Sequence, residues 1–293
     1  MKGLSRTLCL FGAFFLGAIF PGMARYAFLI QYMVIYMLFL SYLSMPLQEN
    51  PLKLKHLWIF LANVLLGFVP YFLLRPLSQD YALAAYMCGI IPSAIAAPVI
   101  MSLIHRDMAF TATAVLVTNL GMAIFLPATL PLLVGREVQL EVGGFVLRVL
   151  VVLLGPFMAA FALQLTTPKL VSQVKKLNRF TFYVWITAIW IAVAKSVVYL
   201  RSQNDVSTDQ IMAIAAIALG ICVVSFLVGH VIGGRQFSRE ASQSLGQKNI
   251  MLSIWISLTY LSPKIALGPT FYILFHHLYN GWLLLRYSDR KID

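Results

Sequence analysis

Acidic side chains are scarce in this chain: 10 Asp and Glu stand against 22 Lys and Arg, and only 11% of the 293 residues are charged. A soluble domain carries about a quarter. All ten acids fall in loops or at the ends of apolar runs, which disfavours a carboxylate proton relay or an intramembrane aspartyl protease. Cysteine is as sparse. Cys9, Cys88 and Cys222 lie inside apolar runs, odd in number and without metal-ligand spacing, and read as small hydrophobes. The five histidines do not form the histidine-rich pattern of membrane di-iron enzymes. Three of them (His56, His105 and His230) lie at the ends of apolar runs. No Ser/His/Asp set and no glycine-rich phosphate loop is found. These absences argue against an enzyme, and neither a cofactor nor a metal is expected.

Apolar length is what the chain has in quantity: 60% of residues are hydrophobic and the mean hydropathy is +0.85. Ten helices of about 20 residues would absorb roughly 200 positions, leaving no room for a sizeable domain outside the bilayer. The net charge of +12 raises nucleic acid as a partner only until the charges are placed. They cluster at the ends of apolar runs, where Lys and Arg mark membrane orientation, so a lipid bilayer is expected as the partner and nucleic acid is not.

The runs read as ten spans at about 7–21, 26–45, 57–75, 81–104, 108–134, 143–165, 180–200, 210–233, 238–261 and 266–287. Lys2 and Arg6 ahead of the first, with Gly22-Met23-Ala24 after it, also fit a signal peptide and its cleavage site. The pairing of spans requires the first one to be retained. With the N-terminus on side one, that side collects fourteen Lys and Arg and side two collects five; Arg148, Lys195 and Lys248 lie within spans. The bias predicts cytoplasmic termini in a plasma or inner membrane. Five spans in each of two sets, 1–134 and 135–293, enter from opposite sides, the arrangement of an inverted-topology repeat. The predicted fold is thus all-α and polytopic, with ten transmembrane helices in two five-helix inverted repeats.

Equivalent spans are interrupted. The fourth contains Gly89, Pro92 and Pro98; the ninth contains Gly246 between the polar runs Ser242-Gln243-Ser244 and Gln247-Lys248-Asn249. Proline removes a helix hydrogen bond, lipid cannot satisfy the freed carbonyls, and paired broken helices mark transporter binding sites. An ordinary proline kink is the plainer reading of Pro92 and Pro98 alone. Lys248 is the most informative residue. An ammonium near mid-bilayer costs about 2.5–3.5 kcal/mol or more, so it must face the bundle interior, find partners or lose its proton, unless it snorkels to the interface. Ser244 lies one turn back on the same face. Arg148 and Lys195, nearer their span ends, read as snorkelling cations that would draw an anion to an outer mouth if they faced a cavity. Thr111, Thr118 and Asn119 share a face of the fifth span. His276 and His277, near Asn280, read as packed and hydrogen-bonded rather than as metal ligands.

Gly89-Ile90-Ile91-Pro92-Ser93-Ala94-Ile95-Ala96-Ala97-Pro98-Val99, then Arg106-Asp107, Thr118-Asn119 and Pro127, resemble the fourth and fifth spans of the bile acid:sodium symporter family. Leu245-Gly246-Gln247-Lys248-Asn249 resembles its ninth-span signature, and His277 to Gly281 the end of its tenth. The resemblance implies a core of spans 3–5 and 8–10, with spans 4 and 9 crossing, that moves against a panel of spans 1, 2, 6 and 7. It also implies organic-anion substrates driven by sodium. The sodium ligands have largely gone. Ala97 and Pro98 stand where the family has serine and asparagine, Thr111 and Val115 where it has two hydroxyls, Ser244 where it has glutamate and Lys248 where it has glutamine. Leu278 replaces an asparagine beside the tenth-span histidine, His277. A hard cation needs several oxygens, so the Lys248 ammonium is expected to stand in for sodium.

On this reading the substrate meets Pro92, Ser93, Ile95, Thr118, Asn119, Asn249 and His277, and Lys248, Ser244, Gln247 and Thr111 form the charge or coupling-ion site. The expected function is secondary active transport of a small organic anion by alternating access, without the family's usual sodium coupling. A proton, sodium or no ion remain open as the coupling. The alternatives are a sodium-coupled symporter, an auxin-carrier-like uniporter, and, from another class, a channel or sensor on the same scaffold.

Overall fold

The computed structural model describes residues 2–45, 52–134, 141–202 and 207–287. Arg136, Arg290 and Lys291 of the charge count lie outside the described residues. Among those described the chain is helical, with no β-strand: α1 (Lys2–Ile19), a 3-10 turn (Pro21–Tyr26), α2 (Leu29–Ser44), α3 (Leu54–Leu74), α4 (Gln79–Gly89), α5 (Ala97–Leu103), α6 (Met108–Val134), α7 (Val142–Thr166), α8 (Pro168–Lys175), α9 (Asn178–Ser202), α10 (Thr208–Gly246), α11 (Ile250–Tyr260) and α12 (Pro263–Tyr287). Five of these, α3, α6, α7, α9 and α10, are long and apolar enough to cross a membrane. Their outer faces agree with that setting. Leu73, Leu132 and Val231 are 70%, 80% and 77% exposed, a surface that drives aggregation in water but has no such penalty against lipid tails.

Local chemistry sets several ends. Asp107 Oδ1 accepts from the Phe110 N–H at 2.9 Å ahead of α6, and Ser207 Oγ accepts from the Gln210 N–H at 3.2 Å ahead of α10, each satisfying a donor that a helix start leaves free. The connection 166–178, expected as a loop, contains α8. Pro168 opens it, where a missing N–H costs nothing.

The stretches expected as spans at 210–233 and 238–261 follow each other directly, with the break between them at Gly234 to Phe237. α10 is two helical arms that meet at a sharp kink: the backbone leaves helical angles at Gly234, whose φ of 59° and ψ of −152° suit only glycine, and again at Phe237. The two arms fold back on each other. A Cβ on Gly229 would lie 2.5 Å from the Ala241 carbonyl oxygen, and Ser242 Oγ donates to the Phe226 carbonyl at 2.7 Å. A second antiparallel pair is α3 with α4. There Gly89 admits the Leu66 carbonyl where any Cβ would collide with it.

Around these hairpins, α10 packs on α3, α4, α6 and α12, and α11 packs on α12. On the other side α1 packs on α9 and α2 packs on α7 and α9. Two helical interruptions face the second group: residues 90–96 between α4 and α5, and residues 247–249 between α10 and α11. Pro98 does not kink a helix. It sits in the first turn of α5, where its fixed φ is tolerated.

Candidate functional site

The interruptions free carbonyls and N–H groups deep in the protein, and each stretch supplies the other's partners. Ala94 N–H donates to the Gln247 carbonyl at 2.7 Å and Asn249 N–H to the Pro92 carbonyl at 2.9 Å, forming an antiparallel bridge at Ser93 and Lys248. Side chains complete the accounting that burial demands. Asn119 Nδ2 donates to the Ser93 carbonyl at 3.0 Å. Ser93 Oγ donates to the Ser244 carbonyl. Tyr272 OH donates to the Gly246 carbonyl at 2.7 Å, and Ser253 Oγ to the Met87 carbonyl at 2.7 Å.

Lys248 is 1% exposed, so it does not snorkel. Its Nζ donates to Asn63 Oδ1 and to the Gly89 carbonyl at 2.7 Å. Asn63 in turn donates from Nδ2 to the Ile90 carbonyl at 2.8 Å. A residue of the second interruption thus ties down the end of α4 through α3. Its two partners are neutral oxygens. The nearest acid in sequence, Glu240, is engaged elsewhere. Its carboxylate meets Arg106 Nε at 3.0 Å and accepts from the Asp107 N–H at 3.2 Å.

Beside the crossing lies a cavity of about 560 Å³. Its walls come from α2 and α9 on one side and from residues 94–100, 247–251 and α12 on the other. It reaches Ser44 at the end of α2, Asn178 at the start of α9 and Leu284 near the end of α12. The ends of α2 and α9 adjoin the connection bearing Lys169, Lys175, Lys176 and Arg179. Its wall is mainly apolar, with Phe182 and Trp185 from α9 and His276, His277 and Asn280 from α12. The Trp185 and His277 rings lie 4.8 Å apart.

Of the residues expected at the site, Ile95, Gln247, Lys248, Asn249 and His277 line this cavity. Ser93, Thr118, Asn119 and Ser244 are buried beneath it as the crossing's hydrogen-bond scaffold. Thr118 Oγ1 returns to its own helix at the Ala114 carbonyl, 2.9 Å away, and accepts from the Ser93 N–H at 3.4 Å. Pro92 contributes its carbonyl alone. The Thr111 hydroxyl bonds back to the Asp107 carbonyl at 3.2 Å. Arg148 is exposed and Lys195 half-buried. His276 is packed among rings as expected, yet its Nδ1 is buried without a hydrogen-bond partner among the described residues.

Two residues of the site escape sequence reasoning. Asn63 has a signal that could find it, as the lone amide in the apolar run 57–73, where an unpartnered polar side chain is costly. Gln243 stands out in the sequence only as part of a polar run. Its Nε2 donates to Gln247 Oε1 and to Asn280 Oδ1 at 2.8 Å, a link across 37 residues that no local pattern announces. Compared with known proteins, the chain matches no family model and no curated protein.

Proposed function

We propose that this protein is a secondary active transporter of a small organic anion working by alternating access, a divergent relative of the bile acid:sodium symporters in which Lys248 replaces a sodium site. The carrying observation is the Lys248 ammonium. Buried where the two interruptions pair, it bridges Asn63 and the Gly89 carbonyl beside a cavity of ligand size. A monovalent cation bound at such a crossing would neutralise carbonyl dipoles and join the limbs. A lysine does both as a fixed charge, and leaves a positive potential beside the cavity for an anion.

The ten-span reading of two inverted repeats draws support from the paired hairpins, α3 with α4 and the two arms of α10, each ending in a glycine before an interruption. On this reading spans 4 and 9 are broken crossing helices. The core is spans 3–5 and 8–10, and α1, α2, α7 and α9 form the panel across the cavity. The termini are cytoplasmic in a plasma or inner membrane.

Counterflow in proteoliposomes tests the function. Vesicles preloaded with an unlabelled organic acid should accelerate entry of the labelled acid, because a carrier returns faster loaded than empty. A channel or sensor gives no exchange-accelerated flux, and that result would refute the proposal.

A further inference from the structure

The ammonium has two acceptors inside the core, which raises the question of what meets the anion. Gln243 supplies an answer. It is 1% exposed and is not among the cavity's lining residues. Its amide nitrogen has two protons, and both are directed at amide oxygens, Gln247 Oε1 and Asn280 Oδ1. A carboxamide whose oxygen is held must present its nitrogen the other way. Both Gln247 and Asn280 line the cavity. Asn280 is 3% exposed, and its Nδ2 has no partner among the described residues. No hydrogen bond within the described residues uses Gln247 Nε2. His276, one turn before Asn280 on α12, adds a second buried unpartnered nitrogen to the same wall.

Buried donors left unpaired are costly, and native proteins keep few of them without a reason. Two carboxamide N–H₂ groups in the wall of one cavity suit a group that only accepts. A carboxylate has two oxygens and no proton to offer. A primary amide of the same shape would set its own N–H₂ against one of these donors, and that mismatch is rejected far more strongly than a change of apolar bulk.

We infer that the substrate's carboxylate head docks on the donor pair Gln247 Nε2 and Asn280 Nδ2, oriented by Gln243, while Lys248 acts from within the core without touching it. The inference rests on the organic-anion reading and adds the head group and its recognition element. Gln243 is a positioning residue, and its exchange for glutamate gives the sharpest test. A carboxylate at 243 accepts instead of donating, so both amides turn over and present oxygens to the cavity.

The experiment measures saturation binding of 3-phenylpropionate and of 3-phenylpropanamide to the purified full chain in detergent. Wild type should prefer the acid by about ten-fold or more, and Gln243→Glu should prefer the amide. If Gln243→Glu does not fold, Asn280→Asp, which turns the outward nitrogen into an oxygen, should weaken the acid and spare the amide. Equal affinities in wild type, or an acid preference that survives in the folded variant, would overturn the inference and leave the transporter reading standing. Failure of wild type to bind either probe, together with no counterflow across an organic-acid panel, would sink the organic-anion reading and the inference with it.

Discussion

Where α4 gives way to α5, the exposed backbone is satisfied by neutral groups close at hand. Asn119 and Thr118 reach it from α6, and the opposite stretch supplies the Ala94 and Asn249 bonds. Where α10 gives way to α11, the chain places a charge, and that charge is spent on the other limb: the Gly89 carbonyl at the end of α4, and Asn63 behind it. The glycines before the two breaks differ in the same sense. Gly89 is pressed against the Leu66 backbone, whereas Gly246 lies under the Phe226 ring. The first limb is packed against neighbouring backbone, and the second reaches across to it through Lys248. One side chain therefore ties the two interruptions together.

That contrast can be broken by substitution. Gly89→Ala should have the largest effect, because backbone cannot move aside; no monodisperse protein should survive size-exclusion chromatography in detergent. Gly246→Ala meets the Phe226 side chain, which has to swing as a whole to make room but is not backbone, and should give folded protein with a lowered melting temperature. Equal damage from the two would refute the asymmetry. Lys248→Met comes next. It strips the partner from Asn63 Oδ1 and the Gly89 carbonyl, and each buried unsatisfied group costs about 1–3 kcal/mol. Adding Asn63→Leu should recover part of that loss, a coupling that a double-mutant cycle in thermal unfolding would detect. Glu240→Gln removes the partner of Arg106, whose side chain is 30% exposed. Solvent softens the loss to about 1 kcal/mol. Ser253→Ala, taking one neutral bond from the buried Met87 carbonyl, should cost about 1 kcal/mol, the low end for a single buried group.

Much of this arrangement is legible in the amino-acid sequence. Long apolar runs set where helices can lie, and Gly89, Pro92, Gly246 and the polar residues around Lys248 mark where helices have to stop, because those residues conflict with a lipid-buried helix. The turn in α10 falls in the gap expected between the spans 210–233 and 238–261, but the pairing of its arms is less legible. Gly233-Gly234 ends an apolar run and marks the break, but only the positive φ at Gly234 and the contact of Gly229 with Ala241 show that the two arms fold back on each other. The partners of Lys248 are out of reach of local reasoning, since Asn63 lies 185 residues away and periodicity carries no information on which helices become neighbours. Thr111 and Thr118 both bond back to their own helix, and among the described residues only for Thr118 is a bond from the crossing seen, from the Ser93 N–H.

The central claim is that the amine of Lys248 does the work of an alkali cation. Its most direct test is uptake of an organic acid such as 3-phenylpropionate into proteoliposomes, with external sodium replaced by potassium in wild type and in Lys248→Gln. The account predicts a wild-type rate that changes by less than about two-fold on the swap, and a variant that is inactive or newly sodium-responsive. A wild-type rate that collapses in potassium would contradict it.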